Sequence, residues 1–128
     1  MKLKNCWKTL LIAALILTAS ILSGNQLNKV SVFEIKHLDK IIHFIMYFVL
    51  VLSMFSSYLK YIKDISTLTK SIVISMAIAY GLTLEGVQYY FTADRSAEVA
   101  DMIANTIGCI TGLLLYPTLF RYKIFRLL

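Results

Sequence analysis

Three blocks of an otherwise apolar chain carry the groups that could do chemistry. Asp39, His43 and Tyr47 fall at i, i+4 and i+8, a spacing that puts them on one helix face. Glu85 follows Gly81 by four and precedes Gln88 by three, and Asp101 lies one turn before Asn105. An imidazole among carboxylates suits general acid–base work: His43 as base, Asp39 fixing its tautomer, and Glu85 or Asp101 as acid. The same set would also hold a polar headgroup without reaction. Each residue has a plainer role too. Asp39 and Lys40 would serve as interfacial caps, His43 as a hydrogen-bonded packing residue, Glu85 as a partner of Arg95 or His43, and Asp101 as a helix cap.

Other chemistries lack their signatures. His43, Glu85 and Asp101 are metal-ligand types, but no H-E-x-x-H or comparable spacing joins them, so neither a metal nor another cofactor is expected. No G-x-S-x-G elbow, phosphate loop or dinucleotide fingerprint occurs.

The surroundings make these groups costly. Of 128 residues, 59% are hydrophobic and 16% charged, and the mean hydropathy is +0.74. A carboxylate near the centre of a bilayer costs about 2.5–3.5 kcal/mol on insertion scales, so those retained point to a site. A hydrocarbon core of about 30 Å takes roughly 20 helical residues. Four stretches approach that length, about Trp7–Ser23, Ile41–Leu59, Ser71–Phe91 and Asp101–Phe120. Ile41–Leu59 is apolar nearly all round, unlike a barrel strand that alternates, and backbone satisfaction in lipid then requires helices. The expected fold is an all-α polytopic membrane bundle of about four transmembrane helices, with residues 1–128 in a single membrane domain.

The net charge of +6 encodes topology rather than nucleic-acid binding, because the basic residues lie between the apolar segments. Lys2, Lys4, Lys8, Lys60, Lys63, Lys70, Arg121, Lys123 and Arg126 fall on one side, nine in all, against four (Lys29, Lys36, Lys40 and Arg95) on the other. The positive-inside rule then places both termini in the cytoplasm. The first apolar run also resembles a secretory signal, but Thr18-x-Ser20 is a weak cleavage site, and the run is read as a retained helix. A short surface helix is allowed for in Gly24–Lys40. Tyr58, Tyr61, Tyr89 and Tyr90 suit an interfacial belt. Cys6 and Cys109 form no CxxC pair and are read as packing residues.

With this orientation the polar groups converge on the outer face. At about 1.5 Å rise per residue, His43 and Asn105 lie about one turn inside the boundary and Glu85 up to about two turns. A shallow pocket near the outer leaflet results, comprising Asp39, Lys40, His43, Tyr47, Glu85, Gln88, Arg95, Asp101 and Asn105. Gly108 and Gly112 form a G-x-x-x-G stripe that permits close helix approach, within the chain in preference to between copies.

The blocks D-K-I-I-H-F-I-M-Y at Asp39–Tyr47, E-G-V-Q at Glu85–Gln88 and R-S-A-E-V-A-D-M-I-A-N-T-I-G-C-I-T-G at Arg95–Gly112 resemble the VanZ-like family, named for a teicoplanin-resistance protein. The resemblance covers about residues 39–116, and the segment before it rests on hydropathy. It implies a small multi-pass membrane protein of the bacterial cell envelope linked to tolerance of lipid-bearing glycopeptides, with no established reaction. The expected partners are the bilayer and a lipid-linked envelope precursor or lipoglycopeptide, with no nucleic acid. A non-enzymatic binding role leads. A membrane-embedded acid–base enzyme is the alternative, and a small transporter is disfavoured because no ionisable relay continues toward the cytoplasmic half.

Overall fold

The computed structural model describes residues 6–26, 38–59, 65–91 and 99–122. Within them the chain forms four helices and no strand: α1 (Trp7–Gln26), α2 (Leu38–Leu59), α3 (Thr67–Phe91) and α4 (Val99–Leu119). By length and composition α2, α3 and α4 suffice to cross a bilayer, while the apolar stretch Trp7–Ile21 of α1 is shorter.

Helix α2 is central and touches the other three, most extensively α4. Its middle is closed off completely, with Val51, Leu52, Ser53 and Phe55 fully buried. This explains the run that is apolar all round: every face of the helix meets another helix or lipid. Ser53 and Ser57 avoid a desolvation cost by donating to Leu50 O (2.7 Å) and Ser53 O (3.1 Å) of their own helix.

The α2–α4 contact depends on glycine. A β-carbon at Gly108 would collide with the backbone oxygen of Phe44, and one at Gly112 would lie 3.1 Å from Val51 Cγ1 and 3.2 Å from Phe48 O. The stripe is thus occupied by α2 of the same chain. Farther along the seam Phe55 stacks on Tyr116 with ring centroids 4.4 Å apart.

Polar bonds fix α1 to the bundle. Thr9 and Ser57 hydroxyls meet at 3.2 Å, Tyr80 Oη donates to Ala13 O at 2.7 Å, and Gln88 Nε2 donates to Ser20 O at 2.9 Å. Toward the outside the bundle presents Leu10, Ile45, Met76, Leu82, Ile107 and Leu114, an apolar surface suited to lipid. Tyr89 and Tyr90 are exposed at the end of α3, where belt residues belong.

The starts of α2, α3 and α4 precede the sequence expectation, while their ends agree with it to within one residue. Helix α3 starts at Thr67 rather than Ser71, because Ser66 Oγ caps it by accepting from Thr69 N at 3.1 Å. Helix α2 begins at Leu38, so Asp39 and Lys40 sit inside its first turn. Helix α4 continues through Pro117 and closes only after Phe120 N bonds Tyr116 O at 3.0 Å. The possible surface helix in the loop after α1, Tyr61, and the turn bearing Arg95 lie outside the described residues.

Candidate functional site

The alternating directions of the helices bring the start of α2, the end of α3 and the start of α4 to one end of the bundle. There His43, Glu85, Gln88, Asp101 and Asn105 are all buried, none more than 7% exposed. Residues from three separated blocks therefore form one polar cluster inside an apolar shell. Buried polar groups of this kind must find partners to be tolerated.

His43 is held by α4. Its Nδ1 lies 3.0 Å from Asn105 Oδ1, an oxygen that can only accept, so Nδ1–H donates and a neutral ring keeps its acceptor at Nε2. Glu85 Oε1 is 4.0 Å from the same Nδ1. The group that meets the imidazole is thus Asn105, whereas Asp39 bonds Lys40 Nζ at 2.5 Å.

Lys40 Nζ also reaches Asp101 Oδ1 at 3.0 Å. Asp101 Oδ1 is buried and receives no hydrogen bond, so the ammonium meets it as a charge without the alignment of a donor. The carboxylate has left water while the Lys40 side chain stays 22% exposed, so removing the ammonium would strand a buried charge on Asp101.

Tyr47, one turn deeper on the His43 face, packs its ring on α3, where a β-carbon at Gly81 would stand 3.1 Å from Cε1. Gln88 spends one amide hydrogen on the Ser20 carbonyl, a link to α1 that no side-chain motif announces. Of the expected pocket residues, Arg95 lies outside the described residues. The other eight share this end of the bundle, Tyr47 as part of its floor and Asp39 at its half-exposed edge.

His43, Glu85 and Asp101 each offer a donor atom, and the three atoms lie within 4.8 Å of one another. Linear spacing gave no sign of this because each comes from a different helix. On the α1–α2 seam, Ile12, Leu15, Ile16, Ile45, Met46 and Val49 line an apolar groove of about 540 Å³.

The model of one protein family, described as VanZ/LLP1, matches residues 3–121. The chain belongs to the VanZ/LLP1 family. No curated protein and no solved structure matches it. The VanZ/LLP1 match extends on both sides of residues 39–116 and takes in α1, for which hydropathy alone had spoken. The polar cluster is therefore part of a VanZ-like membrane protein.

Proposed function

We propose that this VanZ-like protein resides in the bacterial cytoplasmic membrane as a multi-pass bundle with cytoplasmic termini, and that its polar cluster opens toward the outer leaflet. There it binds the headgroup of a lipid-linked or amphiphilic envelope molecule, with tolerance of teicoplanin-type lipoglycopeptides as the consequence. The observation that carries this reading is the gathering of Lys40, His43, Glu85, Asp101 and Asn105 from three helices at one end of an otherwise apolar bundle. A site with anionic, cationic and amide groups suits a headgroup with both charges and hydroxyls. The apolar groove on the α1–α2 seam offers room for part of an acyl or isoprenoid chain. Expression in a sensitive Gram-positive host tests the reading: selective protection against teicoplanin over vancomycin, lost with Glu85→Gln at matched membrane levels, supports it. Equal susceptibility of wild type and empty host would remove the resistance role.

One arrangement favours a second reading, an acid–base enzyme acting on a lipid-linked envelope substrate. His43 Nδ1 stands between Asn105 Oδ1 and Glu85 Oε1, leaving Nε2 to take a proton while Glu85 stabilises the resulting charge. This reading requires turnover by the purified protein that His43→Ala abolishes while helicity and melting behaviour are retained.

A further inference from the structure

We propose that His43, Glu85 and Asp101 form a site for a divalent transition-metal ion, Zn²⁺ or Mn²⁺. The inference rests on these three groups and is independent of the headgroup reading. Their donor atoms lie within 4.8 Å of one another, and each is held on a different helix of a packed bundle. Zinc bonds of about 2.0–2.2 Å in tetrahedral geometry put ligands roughly 3.3–3.6 Å apart, so rotamer adjustments of about an ångström close the site. Three protein ligands also leave a coordination position open, as catalytic and ligand-binding metal sites do.

Two further observations point to a cation. Asp101 is 97% buried, and its Oδ1 accepts no aligned hydrogen bond and is met only as a charge by the Lys40 ammonium at 3.0 Å; a buried carboxylate oxygen so placed calls for a cation. Asn105 Oδ1, 3.0 Å from His43 Nδ1, holds the imidazole beside Glu85, whose Oε1 lies 4.0 Å from the same nitrogen, a contact of the kind that orients a metal-binding ring. The choice of ion follows from the donors. One imidazole nitrogen with two carboxylate oxygens is a mixed set, which suits Zn²⁺ or Mn²⁺ better than Ca²⁺, a cation of all-oxygen sites. Mg²⁺ keeps several waters, which this closely packed interior does not favour.

Lys40 is the competing charge. Its ammonium pairs with Asp101 Oδ1 at 3.0 Å and with Asp39, so the metal must displace it from Asp101, and Asp39 remains as its partner. Removing the ammonium should therefore tighten metal binding, the opposite of what a purely structural role for the cluster predicts.

The test uses the full chain, stripped of metal in nanodiscs, with Zn²⁺ titrated calorimetrically and Mn²⁺ followed by electron paramagnetic resonance. We expect about one equivalent bound, affinity reduced about tenfold or more by Glu85→Gln and by Asp101→Asn, and affinity raised by Lys40→Met. Binding should persist in Cys6→Ser/His37→Gln, which removes the other histidine and the other cysteine besides Cys109. Absence of saturable binding to wild type would overturn the proposal. So would binding that Glu85→Gln and Asp101→Asn leave unchanged, or binding lost with Cys6 and His37. If the carboxylate variants do not fold, the wild-type stoichiometry and the Cys6→Ser/His37→Gln comparison decide.

Discussion

His43 Nδ1 and Asn105 Oδ1 lie 3.0 Å apart, joining the second turns of α2 and α4 across 62 positions of sequence. The bond is buried and sits just above the point where Gly108 lets the two backbones meet. It therefore couples the geometry of the polar cluster to the close α2–α4 packing at Gly108. Replacing Asn105 with Leu should leave an imidazole N–H without its acceptor and cost about 1–3 kcal/mol. Thermal unfolding in detergent would show the loss, and a double-mutant cycle with His43→Ala should return a coupling of about 0.5–3 kcal/mol.

The Lys40–Asp101 pair predicts an asymmetry. Lys40→Met removes a cation that neutralises a buried carboxylate, so it should destabilise by about 3 kcal/mol or more. Adding Asp101→Asn removes the stranded charge and should restore most of the loss. Melting temperatures of the two single variants and the double variant check this, and equal stability of Lys40→Met and wild type would contradict the pairing.

Glycine positions separate packing from propensity. Gly108→Ala drives a methyl into Phe44 O and should cost about 1–3 kcal/mol through overpacking. A β-carbon at Gly86 meets nothing within 4 Å, so Gly86→Ala should be neutral or stabilising by up to about 1 kcal/mol. Unfolding in mixed detergent measures both.

Helix α1 should remain part of the mature bundle. Tyr80→Phe deletes the bond to Ala13 O and should cost about 0.5–1.5 kcal/mol. Gln88→Leu removes the bond to Ser20 O and should act in the same direction. The two variants should together loosen α1, seen as faster proteolysis there. Intact mass of the purified wild type should include residues 1–26.

Much of this was legible along the sequence, and the reasons differ by level. Helices α2, α3 and α4 followed from apolar length alone. Their first turns did not, because caps such as Ser66 depend on local hydrogen bonds. The i, i+4 spacing of Asp39 and His43, or of Asp101 and Asn105, told which residues share a face. It could not say that Asn105 rather than Asp39 would take His43 Nδ1, since partner choice depends on how each helix is rotated against its neighbour. That His43, Glu85 and Asp101 fall at one end followed from helix order, but the approach of their donor atoms to within 4.8 Å had no linear trace, because three helices contribute one ligand each. The Ser20 carbonyl was invisible for another reason: every residue has one.

Headgroup recognition by the polar cluster is tested by binding of teicoplanin, with vancomycin as comparison, to the protein in nanodiscs, comparing wild type with Glu85→Gln and Asp101→Asn. Saturable binding of the lipid-bearing compound is expected, about one molecule per chain, weakened about tenfold or more by either substitution in variants that retain wild-type helicity. Binding of equal strength in wild type and both variants, or none to well-folded wild type, would contradict it.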